Sequence, residues 1–179
     1  MALTRLNGVN AITGTIPQGN IANASLGAVT ALPAAIPTGK VLQVKYMKSS
    51  AGSGLSGTSL IDTPLTNTIT PSSTSSKILI QFQLQAKLEF QNTEGYGTAV
   101  KRTISGSDTT LFEQVAYQNH TGNNTGNIET GTISYYCFED SPNTISQITY
   151  TVQVKGENTQ PIQIPNGGEN TFTLFEVSA

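Results

Sequence analysis

The chain has 179 residues, of which only 11% are charged, less than half the roughly 25% of an ordinary soluble domain. A net charge of −2 with scattered Lys and Arg excludes the dense cationic stripe of a nucleic-acid groove. No apolar run approaches the about 18 residues of a membrane-spanning helix, and a lone His120 and lone Cys137 exclude His-pair zinc motifs and any internal disulfide framework.

Neutral polar groups stand in for the missing charge: 26 Thr, 16 Ser, 14 Asn and 12 Gln. Met1 to Arg5 lead into no apolar signal segment, so no export is expected.

Residues 1–39 have a grammar of their own. They hold one charge, Arg5, no aromatic residue, and three prolines, Pro17, Pro33 and Pro37. Each proline removes a backbone donor and fixes φ, which disfavours a long helix. Ile16-Pro17-Gln18-Gly19-Asn20-Ile21 recurs as Ile36-Pro37-Thr38-Gly39-Lys40-Val41, two bends each set between apolar residues. Burying Ile12, Ile16, Ile21, Leu26, Leu32 and Ile36 gains roughly 1.5–3 kcal/mol each. Ordering the segment at roughly 1 kcal/mol or more per residue consumes that gain. The segment therefore reads as an extended, largely non-regular arm that docks on something else through these residues and through Pro17 and Pro37. A floppy tail is the bland alternative, but the segment is richer in aliphatic residues than disordered chains are.

From Lys40 to Ala179 the pattern has period two. Leu42, Val44 and Tyr46 open the series. Ile78, Ile80, Phe82, Leu84, Ala86, Leu88 and Phe90 alternate with a largely polar set, predicting a strand of about 43 Å, bent or bulged along its length. Ile148, Tyr150, Val152 and Val154 alternate with Gln and Thr. Residues 133–138 and 172–177 are apolar on both faces, as in central strands or strands covered by a partner subunit. Weaker candidates are 66–70, 99–104, 111–117 and 160–165. Turn-rich segments fall at 49–57, 71–76, 105–109, 119–131 and 166–170. No helical period is present. The prediction is an all-β, antiparallel two-sheet jelly-roll sandwich over 40–179, preceded by the arm.

Few residues point to chemistry. Glu139 and Asp140 are adjacent carboxylates, but strand neighbours face opposite ways and cannot flank one bond. Glu113 and Glu129 are isolated, and neither a nucleophile elbow nor a phosphate loop is present. No catalytic residue, cofactor or metal site is expected. Arg102 alternates with Val100 and Ile104, so it should face inward and need a carboxylate; Asp140 and Glu139 are the candidates, against an exposed Arg on a bulged strand. Cys137 reads as a small buried hydrophobe. Tyr117, Asn119, His120, Asn123, Asn124 and Asn127 form a candidate recognition loop of amides beside a ring able to stack on a sugar; a loop that merely faces water is the plainer reading.

The stretch Leu65-Thr66-Asn67-Thr68-Ile69-Thr70-Pro71-Ser72-Ser73-Thr74-Ser75-Ser76-Lys77-Ile78-Leu79-Ile80 resembles a strand–turn–strand block of bacteriophage tail-fibre-like and virion-surface proteins. Gly39-Lys40-Val41-Leu42-Gln43-Val44 resembles their opening strand, Asp140-Ser141-Pro142-Asn143-Thr144 with Ile148-Thr149-Tyr150 a second block, and Thr173-Leu174-Phe175-Glu176-Val177 the closing strand. Ile12-Thr13-Gly14-Thr15-Ile16-Pro17 resembles the arm that precedes such domains. The resemblance implies a non-enzymatic protein of the virion surface, assembled as a homotrimer. With so short an arm, a capsid decoration or cement protein held on the major capsid protein is expected first. A short tail fibre or receptor-binding tip, joined to a tail protein and recognising a host surface glycan or protein, is the alternative. Neither nucleic acid nor a membrane is an expected partner.

Overall fold

The computed structural model describes residues 40–90, 94–121, 128–157, 159, 161–164 and 169–178. Arm residues Ile12, Ile16, Pro17, Ile21, Leu26, Leu32, Ile36 and Pro37 lie outside the described residues, as do Asn123, Asn124 and Asn127. Gly39–Ala179 forms a unit of its own.

The described strands are β1 (Val41–Ser49), β2 (Ser53–Ser56), β3 (Ile61–Ile69), β4 (Lys77–Phe90), β5 (Glu94–Ile104), β6 (Ser107–Thr121), β7 (Ile128–Asp140), β8 (Ile148–Gly156), β9 (Pro161–Ile164) and β10 (Asn170–Val177). The pairs nest: β5 with β6, β4 with β7, β3 with β8, and β1 with β10, all antiparallel. The first half of the chain thus runs alongside the second like one long hairpin. Wrapping that double ribbon yields two sheets, β1-β10-β4-β7 and β3-β8-β5-β6, the jelly-roll arrangement. Short β2 and β9 pair with each other and prolong the first sheet beside β4.

Alternation decides the core. Ile78, Ile80, Phe82, Leu84, Ala86 and Leu88 of β4 meet Ile148, Tyr150, Val152 and Val154 of β8 and Phe172 and Leu174 of β10, all essentially inaccessible. Phe82 contacts Tyr136 and Phe172 at centroid distances of 5.3 and 6.1 Å. Phe112 of β6 lies against Tyr136 and Phe138 of β7, at 5.0 and 5.3 Å, and joins the two sheets on that side.

Several expectations are corrected here. β4 carries no register shift against β7, from Ile78↔Asp140 to Phe90↔Ile128; the break is on its other edge. There the chain passes from Gln163 to Thr171 while its partner passes only from Lys87 to Gln83. Asn170 fills the gap, its Oδ1 accepting from the Gln85 amide at 2.7 Å. The 49–57 segment, expected as turn, contains β2. The 105–109 turn shrinks to Ser105 and Gly106, both at positive φ (49° and 82°), as a two-residue hairpin turn matched to strand twist requires. Among the described residues β7 pairs with β4 alone, so 133–138 lies in an edge strand and not a central one, while 172–177 is central as β10. Pro64 falls where the register of β3 on β8 shifts, the position a residue without an amide donor tolerates.

Candidate functional site

At one end of the sandwich the two sheets are tied by a polar node. Asp140 closes β7 and Arg102 lies on β5, opposite Tyr150 of β8. Arg102 Nη1 donates to Asp140 Oδ1 and Oδ2 at 2.7 and 3.0 Å, and the Tyr150 hydroxyl donates to Oδ2 at 2.7 Å. The side chains are 18% (Arg102) and 7% (Asp140) exposed. Burial, and then the bond to the Asp140 carboxylate, hold the Tyr150 phenol above its ordinary pKa. Glu139 takes the opposite face and pairs with Lys77 at 2.7 Å, as strand alternation demands.

A second node lies near the β3–β4 turn. Glu176 continues the inward series Phe172, Leu174 and is fully buried. Its Oε1 accepts from the Ser72 amide and hydroxyl, both at 2.6 Å, and its Oε2 from Gln43 Nε2 at 2.6 Å. Burial alone would raise its pKa; the hydroxyls of Ser72 and Ser76, the Gln43 amide and the Ser72 backbone outweigh that and bring it to about 2. Sequence reasoning missed this carboxylate, although its place in the alternation marks it as an inward acid needing donors.

Between the outer edges of β1 and β3 runs a groove of about 360 Å³, lined by Gln43 to Tyr46, Asn67 to Thr70 and Gln147. The amides of Asn67 and Gln43 are already committed. Asn67 Nδ2 donates to the Lys45 and Phe172 carbonyls, both at 3.0 Å, and Gln43 Nε2 also reaches the Thr70 carbonyl at 2.7 Å. The groove is a seam between sheets.

The outward faces of the two sheets differ. On β3-β8-β5-β6, Lys101 pairs with Asp62 at 2.7 Å and lies 3.6 Å from Asp108; Gln153 donates to Asp62 at 2.7 Å and Thr103 to Asp108 at 2.6 Å; and Lys155 pairs with Glu113. Lys101 is raised above its ordinary pKa chiefly by its bond to Asp62, while the bonds from Lys101 and Gln153 overcome burial and lower Asp62. On β1-β10-β4-β7 the outward positions mix apolar, amide and hydroxyl side chains with the pairs Lys77–Glu139 and Lys48–Glu169, and Tyr46 and Tyr135 stand exposed there. Cys137 is also exposed, which corrects the buried reading: Tyr136 and Phe138 take the inward positions on either side of it.

Of the candidate recognition loop, Tyr117, Asn119 and His120 are strand residues of β6, and Asn119 and His120 pair with Tyr96 and Gly95 of β5. The ladder runs past the expected start of the turn: beyond a register shift between Tyr96 and Thr98, Asn119, His120 and Thr121 pair with Tyr96, Gly95 and Glu94. Among the described residues, no three His, Cys, Asp or Glu side chains are placed to hold a metal ion, and no helix is long and apolar enough to cross a membrane.

No protein family matches the chain, and no curated protein does. Among solved structures, Eiger TNF from S. frugiperda aligns with 76% of this chain and 94% of its own at 11% identity and a TM-score of 0.45. The D431N mutant VP2 protein of infectious bursal disease virus, from T=1 particles, aligns at 11% identity and a TM-score of 0.41. It covers 76% of this chain, which spans only 40% of the VP2 chain.

Proposed function

We propose that this protein is a non-enzymatic structural component of a bacteriophage particle, a capsid decoration or cement protein. It forms a homotrimer whose residues 1–39 dock on the major capsid protein while the jelly-roll head faces outward at the virion surface.

The observation that carries the non-enzymatic part is the commitment of most carboxylates among the described residues. Asp62, Asp108, Glu113, Glu139, Asp140, Glu169 and Glu176 are each held by a Lys, an Arg or a group of hydroxyl and amide donors. A general acid or base needs a carboxyl free to meet substrate. The particle role is supported by the order of sequence blocks resembling virion-surface proteins and by an arm that gains too little from burial to fold alone. Three arms on one trimer act together at high effective concentration.

The test is deletion of residues 1–39, followed by electron microscopy of particles and a count of copies. The head should remain a folded, soluble trimer absent from virions, and the full chain should decorate the capsid in hundreds of copies. A deletion variant at full occupancy rejects arm docking. A handful of full-length copies at one vertex means a tail fibre instead.

A further inference from the structure

We propose that copies of this chain meet through the outward face of the β1-β10-β4-β7 sheet, which becomes the interior of the oligomer. The inference rests on the homotrimer reading above and names the surface that builds it.

Register and burial place the residues. Val44 of β1 lies opposite Phe175 of β10, which lies opposite Leu79 of β4, in one row across the sheet that Glu139 of β7 completes. Val41 and Val177 pair beyond that row. The next row carries Tyr46, Thr173, Gln81 and Cys137, and the one after it Lys48, Thr171, Gln83 and Tyr135. Val41, Val44, Tyr46 and Tyr135 are 56%, 51%, 62% and 61% exposed. Most of the large exposed apolar side chains of the described residues therefore share this sheet. A patch of this kind marks an interaction surface.

Three observations favour a second copy as the occupant. First, two ion pairs on this face close within the chain, Lys77 with Glu139 and Lys48 with Glu169. An identical face brings no net repulsion, whereas an acidic or basic partner would find nothing to select it. Second, the amides of Gln81 and Gln83 and the hydroxyls of Thr171 and Thr173 each offer donor and acceptor together, so like faces can hydrogen-bond in any copy-to-copy register. Third, four strands about 4.8 Å apart and 25–45 Å long present on the order of 600–700 Å² in projection. Side-chain relief brings this near the roughly 800 Å² that one subunit gives to a stable interface, here divided between the two neighbours of a trimer. The opposite sheet, zipped by Lys101, Asp62, Gln153 and Asp108, has no such unmet need.

The experiment uses the full chain in light scattering and analytical ultracentrifugation. The double variant Val44→Lys/Tyr46→Lys puts two cations on an already exposed edge strand and should be monomeric at concentrations about tenfold above those at which the native chain is assembled. Thr68→Lys, on the other sheet, should leave assembly unchanged. Maleimide labelling of Cys137 is the second readout: the thiol should react at least about tenfold more slowly in the native assembly than in the double variant. A native oligomer that survives the two lysines with Cys137 fully reactive overturns this interface and leaves the homotrimer standing. A native chain that is monomeric overturns both, while the arm-deletion experiment still reads particle attachment independently.

Discussion

Removing Arg102 tests how the two sheets are joined. Asp140 sits on one sheet, Arg102 and Tyr150 on the other, and the carboxylate is only 7% exposed. In Arg102→Ala the anion keeps the Tyr150 hydroxyl but loses its cation. Breaking a fully buried pair from one side costs about 3–5 kcal/mol. Arg102 is 18% exposed, so water can reach the vacated space, and a loss of about 2–3 kcal/mol is expected. For a folded head of this size that is a fall in melting temperature of about 7–10 °C, or a urea midpoint lower by about 1–1.5 M at unchanged slope. The assay is urea unfolding followed by circular dichroism at fixed protein concentration, since assembly adds its own stability. The triple variant Arg102→Met/Asp140→Leu/Tyr150→Phe removes every polar member and should recover most of the loss, because an apolar replacement leaves nothing unpaired. A loss below about 0.5 kcal/mol in Arg102→Ala matches an ordinary surface site and refutes the reasoning.

Glu176 has a folded pKa of about 2 against an ordinary 4.5; the unfolded chain binds its proton first on acidification, so its contribution is complete above about pH 4.5 and fades toward pH 2. Acid titration of stability should lose up to about 3 kcal/mol across that window, and Glu176→Gln should flatten it; an equally steep profile in the variant counts against the assignment. Phe82→Ala empties the contact among Phe82, Tyr136 and Phe172 and should cost about 3–5 kcal/mol in chemical denaturation; a cost under about 1 kcal/mol contradicts the packing. Asn170→Ala strands the Gln85 amide at a cost of about 1–3 kcal/mol, and hydrogen exchange at Gln85 should accelerate; unchanged protection there refutes the bridging role.

The strands were legible because burial writes a period of two into the chain. β4 and β8 stand where Ile78 to Phe90 and Ile148 to Val154 alternate, and the inward direction of Arg102 follows from Val100 and Ile104 beside it. Pairing was less legible. Nothing local in Ser53–Ser56 marks β2 as a strand, because its hydrogen bonds are supplied by β9, about a hundred residues away. The 119–131 region looked like a turn from its Asn and Gly content, yet the ladder with β5 holds Asn119 and His120 in strand; non-local pairing overrides composition there. Cys137 was misread for a related reason. Tyr135 to Phe138 is apolar on consecutive residues, so periodicity cannot tell inward from outward, and the register of β7 on β4 decides it.

The scarcity of charge has a spatial logic that composition alone hides. The face carrying Lys101, Asp62, Asp108, Lys155 and Glu113 spends its ions on one another, which keeps it wet, closed and unattractive to an edge-on neighbour. The face of β1, β10, β4 and β7 keeps its ion pairs toward its margins and fills the middle with Phe175, Leu79, Gln81 and Thr173. A desolvated lysine or glutamate at those central positions would penalise burial, whereas an amide or hydroxyl can exchange water for a like group on another copy. A sheet meant to stay in water gains solubility from charge and has no reason to avoid it. Its near absence from the centre of one face alone is what the proposed burial of that face against another copy requires.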